Sequence, residues 1–428
     1  MAATTADPQT LPERLIAWAI VSTWWLWLIG GLYIVGPVLG WALAMLVMRG
    51  LYFGNALPPA ERASPPPWPI WMWLLGMGAM LPILWIGHNN FDLGTATTIK
   101  SSIGWAKGWA LLALYPLAGA ALSIRPEVIY RAVCTLGKQT LWLAPLFIIC
   151  PYIGMPEILW VSPLKVLGGS GDEYFAAVLY TIEPGVGTAR WQFFAPWSPA
   201  AGMVAIIHLL CAIEEKDGKR KAIGICAALI IALFSQSRLA MVAIALIWPI
   251  SWGVSRLGKP STWFAGVVPL LLGGLFAPAI LAFLEKAQSD FSGARADSSR
   301  VRSVLGHIAV ERWQHEAYWF GHGIVERGPH IVEFMPIGSH HSWYGLLFVK
   351  GVCGLIAFAI PIGSTLFSCF LAAMKRDVGR VGLSMILVYF LYSFGENMET
   401  LVYLCWPALV IVGIALRQPT PDAAPVVN

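Results

Sequence analysis

Between residues 14 and 416 the chain alternates long apolar runs with short polar intervals. A membrane-spanning helix needs about 20 mainly apolar residues. Runs of that character cover 14–35, 36–53, 69–87, 103–124, 127–150, 199–213, 222–236, 239–254, 263–284, 345–373, 380–396 and 400–416. They predict an all-α integral membrane protein with about twelve transmembrane helices, a single polytopic domain over 1–428. Only the intervals 151–198 and 285–341 are long, and the second immediately precedes the tenth span. Short amphipathic helices are expected in it, one of them over 301–319, where Val304, Ile308, Glu311, His315 and Tyr318 recur at helical spacing.

The placement of charge orients the runs, because cytoplasmic loops carry an excess of Lys and Arg. With the N-terminus inside, the inner loops hold Arg62, Arg125, the Glu-Glu-Lys-Asp-Gly-Lys-Arg-Lys stretch at 214–221, Arg256 with Lys259, then Lys375, Arg376 and Arg380, and finally Arg417. The short outer loops hold only Lys100 and Arg238. This asymmetry puts both termini in the cytoplasm and both long loops on the outer face. The proline cluster from Pro58 to Pro67 reads as a cytoplasmic turn, and the Pro/Ala tail at 417–428 as a disordered cytoplasmic segment.

Composition agrees with a membrane protein. Hydrophobic residues make up 57% of the 428 and charged residues 12%, against about 25% charged in soluble domains. No basic run interleaved with aromatics points to nucleic acid. The seven cysteines lie in or beside apolar runs with no Cys-x-x-Cys pair, so they read as reduced and structural. The polar N-terminus lacks the basic start of a signal peptide, and the first span is expected to be retained. Much of the tryptophan sits near span ends, as an interfacial belt does. Trp191, Trp197, Trp313, Trp319 and Trp343 lie instead in or at the ends of the outer loops.

The ionisable residues of the outer face concentrate in 297–355. That stretch holds Arg300, Arg302, Arg312, Arg327 and six of the eight histidines, at 307, 315, 322, 330, 340 and 341. Histidine near neutral pH is the usual general base. The spacing contains no His pair at i and i+4 and no cysteine partner, so no metal is expected. No Asp-x-Asp pair, Gly-x-Ser-x-Gly or phosphate-cradling Gly-x-x-x-x-Gly-Lys is present, and no cofactor is expected. Arg190 and Arg238 lie at outer edges of apolar segments, where arginine is costly and suited to gripping phosphate at two points. Glu396 and Glu399, at the last outer turn, have no basic partner of their own there. They either pair with a site arginine or face water.

Taken in order, these elements resemble a known family. His340-His-Ser-Trp-Tyr-Gly-Leu-Leu-Phe-Val-Lys-Gly351-Val-Cys-Gly354-Leu is similar to the signature of the bacterial O-antigen ligase and polysaccharide polymerase superfamily, a His-Asn pair followed by an apolar helix with Gly-x-x-Gly-Leu. Arg300 or Arg302, the Trp313 region and Gly321-His-Gly323 resemble its Arg, Trp and Gly-x-Gly elements. Ser235-Gln-Ser-Arg238 resembles its Ser-Arg element, and Arg190 with Pro196-Trp-Ser-Pro-Ala-Ala-Gly202 its Arg and Asn-Pro-Asn segment. Two departures stand out: His341 replaces the usual Asn, and Val349 and Lys350 stand where an acidic residue is common. Which of His340 and His341 is the base stays open, with the glycine spacing favouring His340.

The resemblance implies a bacterial inner-membrane glycosyltransferase with its site on the periplasmic face. Its donor would be a glycan on a polyprenyl diphosphate carrier lying in the membrane lipid, and its acceptor a hydroxyl of a glycan or glycolipid in surface polysaccharide biosynthesis. His340 or His341 would be the catalytic base, and Arg190, Arg238, Arg300 and Arg302 would hold the diphosphate. The helix over 301–319 would lie across the bundle as a lid, its apolar face over the carrier head and its arginines turned inward. Ligase and polymerase remain alternatives, and a lipid-linked glycan flippase or transporter is the rival from another class.

Overall fold

The computed structural model describes residues 6–169, 171–183, 187–259, 296–338 and 340–417. In chain order its helices are α1 (Leu11–Val21), α2 (Thr23–Leu28), α3 (Leu32–Tyr52), α4 (Trp68–Asn90), α5 (Thr95–Lys107), α6 (Trp109–Ala121), α7 (Pro126–Ile149), α8 (Ser198–Glu214), α9 (Gly218–Ser235), α10 (Arg238–Val254), α11 (Ala296–Glu316), α12 (Ser342–Ala373), α13 (Asp377–Tyr392) and α14 (Met398–Leu416). The architecture is that of an all-α membrane protein. Among the described residues α3, α4, α7, α12 and α14 are long and apolar enough to cross a bilayer, and α8 and α10 are shorter apolar helices.

Several runs divide differently from the expectation. The run at 14–35 breaks at Ser22 and again at Gly30, whose φ of +68° is left-handed. The run at 103–124 divides at Gly108: α5 begins earlier, in polar sequence, and buries no residue, whereas every residue of α6 is buried. The run at 263–284, the first part of the second long interval, and the tail from 418 onward lie outside the described residues.

At the centre stands α14, which packs against α6, α13, α3, α12 and α8. Lipid tails give apolar helices little reason to associate, so close packing and buried hydrogen bonds carry the assembly. Gly119 on α6 and Gly413 on α14 let those two backbones touch, where a Cβ on either would overlap the other's main chain. Buried side-chain hydrogen bonds tie further pairs: Trp73 Nε1 donates to Thr365 Oγ1 at 2.8 Å, and Ser384 Oγ to Ser251 Oγ at 2.7 Å.

The two ends of the bundle differ. At the end carrying the N-terminal segment, Arg125 grips Glu13, Arg131 grips Glu215 and Arg380 grips Glu214, each at 2.8 Å. The opposite end carries the long intervals. In the first lie two antiparallel ribbons, β1 (Ile158–Val161) with β2 (Ala176–Val178) and β3 (Tyr180–Ile182) with β4 (Ala189–Trp191). In the second, a short hairpin of β5 (Glu326–Arg327) and β6 (Pro336–Ile337) follows α11.

The lid expectation needs correction. Helix α11 is shifted towards the N-terminus relative to 301–319; its packed face is Val301, Leu305 and Ala309 with Val304 and Ile308 beside them, so the expected stripe holds at its first two positions and fails at Glu311 and His315. The reason is polarity: the expected stripe turns charged in its second half. The buried stripe packs on the chain's own Val332, Ile337 and Phe348, so α11 is fastened by its apolar face instead of presenting it.

Candidate functional site

The site is organised by the N-terminus of α12. His341 is its N-cap: Nδ1 accepts the Tyr344 N–H at 3.2 Å, and the ring stacks on Tyr344 with centroids 4.0 Å apart. With Nδ1 an acceptor, the neutral ring carries its proton on Nε2, and neither nitrogen is open to receive one. The preceding residue is different. His340 has φ +62°, a left-handed conformation that costs a bulky residue about 1–3 kcal/mol and clusters at functional sites. Its ring lines a cavity of about 50 Å³ together with Arg302, Gly306, Gly338 and Phe394. Among the described residues it makes no hydrogen bond. Burial, and then the Arg302 charge, push its pKa down to about 4; burial takes His341 to about 4 as well.

Arg302 reaches from α11 to the turn between α13 and α14, where its guanidinium donates to the Gly395 carbonyl at 3.3 Å and stands 3.9 Å from the Glu396 carboxylate. Glu396 is 2% exposed and accepts the Trp197 indole N–H at 2.9 Å. Burial dominates over Arg302 and raises its pKa to about 7. Ser342 ties this turn to α12, its hydroxyl donating to the Glu396 carbonyl at 2.8 Å and accepting from Met398 N–H at 3.0 Å.

Trp197 belongs to the segment that carries Arg190, so a third element joins. Arg190, on β4, donates to the Ser235 carbonyl at 3.4 Å, and Gln236 donates back to the Ala189 carbonyl at 3.2 Å. Within Ser235-Gln-Ser-Arg238, Gln236 ends α9 in a left-handed conformation and Ser237 caps α10 by accepting from Ala240 N–H. Ser237 therefore shapes the turn, and Arg238 is the half-buried first residue of α10. Leu239 packs beside Gly395, which sets this turn against the Glu396 turn.

The other arginines are placed apart. Arg300 donates to the Ile331 carbonyl at 3.3 Å on an exposed face, away from the His340 cavity. Arg312 holds Glu316 at 2.7 Å and Glu326 at 2.6 Å, with its guanidinium over Phe348. His322 Nε2 completes that clasp at 2.8 Å from Glu316. Hydrogen bonds from Arg312 hold Glu316 down to about 2, so Arg312 is committed to fastening the α11 loop.

The motif glycines have a structural explanation. Helix α12 breaks at Gly351, with φ +61° and ψ −163°. The loop 318–323 lies across the break and satisfies it from both sides. His322 and Gly323 N–H donate to the Phe348 and Val349 carbonyls at 2.8 and 2.9 Å, and Val352 and Cys353 N–H donate to the Tyr318 and Trp319 carbonyls at 3.0 and 3.1 Å. A Cβ at Gly351 would strike the Trp319 carbonyl, and one at Gly321 the backbone of Val349 and Lys350. Just before the break Lys350 is buried, 3% exposed, and its charge is felt by Glu399 of α14.

The structure thus brings together His340, His341 and Arg302, joins Arg190 and the Arg238 turn to the same end of the bundle through Trp197 and Glu396, and leaves Arg300 aside. The sequence left Glu396 and Glu399 open between pairing and water; Glu396 is buried beside Arg302 and Glu399 interacts with Lys350. The one signal for either was a pair of acids in an otherwise apolar C-terminal stretch.

Fold and site together define a helical membrane protein with a small cavity at one end lined by histidine and arginine, the arginine backed by a buried carboxyl. No protein-family model matches the chain, and a search of curated proteins finds no significant relative.

Proposed function

We propose that the protein is a membrane glycosyltransferase that moves a glycan from a polyprenyl diphosphate carrier to a sugar hydroxyl, in the assembly of a bacterial surface polysaccharide such as O-antigen, capsule or exopolysaccharide. One observation carries this reading: His340 is held in a strained conformation with its ring in the same small cavity as Arg302, and no neighbour among the described residues takes up its nitrogens. A base with an open nitrogen beside a cation suits a reaction that removes a proton at one atom and releases negative charge at another.

In that reaction the acceptor O–H gives its proton to His340 while its oxygen bonds to the anomeric carbon. The bond from that carbon to the diphosphate oxygen breaks, and the diphosphate leaves with the electron pair. Arg302 meets the charge that develops, with Arg190 and Arg238 lining its approach. The bound diphosphate also offsets the Arg302 charge that depresses His340, returning the imidazole towards the neutral range where a base is most effective. The charge alternation of the loops supports a site on the periplasmic face of a bacterial inner membrane, in a protein of about twelve spans with both termini inside.

The test is purified protein in lipid, given a synthetic polyprenyl diphosphate oligosaccharide in the presence of a chelator. A product ladder that disappears in His340→Ala supports a polymerase, and product formed only when lipid A core is added supports a ligase. Full activity in both His340→Ala and Arg238→Ala sinks the reading.

The break in α12 and the buried Lys350 favour a second reading, because transporters place their sites at discontinuous helices. Movement of carrier-linked sugar across vesicles with no glycosidic bond formed would establish that reading instead.

A further inference from the structure

A second cavity, of about 210 Å³, lies on the other side of the α12 N-terminus from His340, and Gly338 lines both. Its walls come from α3, α4, α5, α6, α12, α14 and the loop at 323–325, and it is partly open. Two things set its chemistry. Its charged lining residues are Lys350 and Glu399, and their charges cancel, so the space suits a neutral guest and not a phosphate. Its hydrogen-bonding capacity is nevertheless unspent. Glu399 Oε2 is buried without a hydrogen-bond partner, and Lys350 Nζ has one long contact, to the Met80 carbonyl at 3.5 Å.

The rest of the lining mixes aliphatic residues such as Leu84 and Leu346 with three aromatic ones, Tyr33, Trp105 and Trp109. Trp105 has already given its indole N–H to the Met77 carbonyl at 2.8 Å, so what it offers the cavity is ring surface. Asn397 uses its side-chain oxygen to cap Glu399 N–H, which leaves its NH₂ as a donor. An aromatic surface in the same cavity as a carboxylate acceptor, an ammonium donor and an amide donor matches a pyranose, with one apolar C–H face and a rim of hydroxyls. The volume admits a single sugar residue, not a polymer.

We infer that this cavity is a binding site for a neutral sugar residue, its hydroxyls addressed by Glu399, Lys350 and Asn397 and its ring resting against Trp105. Resting on the transferase reading, it is the acceptor subsite, which delivers a hydroxyl past Gly338 towards His340. Lys350 and Glu399 are two buried groups of opposite charge that feel each other without touching, and removing one such charge is worse than removing both, so the informative variant is the double, neutral one, Lys350→Met with Glu399→Gln.

The test uses full-length protein in nanodiscs and saturation-transfer NMR with a panel of neutral monosaccharides: glucose, galactose, mannose, rhamnose and N-acetylglucosamine. At least one sugar is expected to show transfer in wild type and in His340→Ala, and to lose it in the double variant and in Trp105→Ala. In the glycan-transfer assay the double variant is expected to raise the acceptor KM at least tenfold with the donor KM unchanged. Absence of saturation transfer from every sugar, persistence of the signal in the folded double variant, or an unchanged acceptor KM overturns the inference. Sugar binding that maps to the cavity in a protein showing no transfer would leave the site standing and remove only its role as acceptor subsite.

Discussion

At one end of the bundle Arg131 grips Glu215 with two hydrogen bonds of 2.8 and 2.9 Å, while at the other end Glu396 has Arg302 no closer than 3.9 Å. Both carboxylates are buried to the same degree, with side chains 3% exposed. Burial works to raise both pKa values, but the Arg131 and backbone hydrogen bonds hold Glu215 below the ordinary range, whereas Glu396 stays near 7. The difference separates two uses of buried charge. Where the pair is close and bidentate, the charge has been spent on structure. Where the cation stands back and a base with open nitrogens lies beside it, electrostatic stabilisation is still available to a guest.

The strongest test of that division is His340→Ala, expected to reduce glycan transfer by about 10²–10⁴-fold, the range for loss of a general base, with the thermal midpoint held. At the structural end Arg131→Ala leaves Glu215 buried and unpaired. It is expected to cost about 3–5 kcal/mol, measured by denaturation in detergent, while the folded fraction keeps its specific activity.

Arg302→Ala should reverse that pattern: stability held, kcat reduced about 10²–10³-fold, as when one donor to a developing negative charge is removed. A milder Arg302→Gln sharpens the point through pH. The active form of His340 is deprotonated, and the Arg302 charge helps keep its pKa at about 4. Removing that charge raises the pKa, so the acid limb of kcat/KM is expected to move to higher pH.

Glu396→Gln probes the same end through stability. A carboxyl whose folded pKa lies near 7, above its ordinary 4.5, binds more protons folded than unfolded between those values, so its contribution to stability falls as pH rises across that window. Wild type and variant should therefore melt alike near pH 5, and the variant should melt higher at pH 8. The smallest effect is expected from Arg300→Ala, with neither transfer nor thermal midpoint changed. A loss of transfer there would enlarge the cationic site beyond Arg302, Arg190 and Arg238.

Legibility in the sequence followed the range of the interactions. Apolar runs of membrane length and the alternation of loop charge depend on neighbouring residues, and α4, α7 and α14 lie where the runs place them. His340 and Arg302 stood out because ionisable residues are scarce in such a chain. The ribbons β1–β2 and β3–β4 are three or four residues per strand, too short for an alternation to register. The stripe of α11 was legible at Val304 and Ile308 and missed at Val301, Leu305 and Ala309, because its partners, Val332, Ile337 and Phe348, lie beyond the helix itself. Lys350 read as a departure from a familiar pattern. Its meaning depends on Glu399, on another helix, which no local spacing connects to it.

The break at Gly351 bears on how the protein is made. Four backbone groups flanking it find their hydrogen bonds in the loop 318–323, and in lipid each would otherwise cost several kcal/mol. That loop leaves the ribosome before α12 does, so the segment that must stitch the helix is already waiting when the break arrives. A lesion in this loop should therefore surface first as a failure of membrane integration, visible as a chain degraded before assembly, and only in survivors as a defect in catalysis.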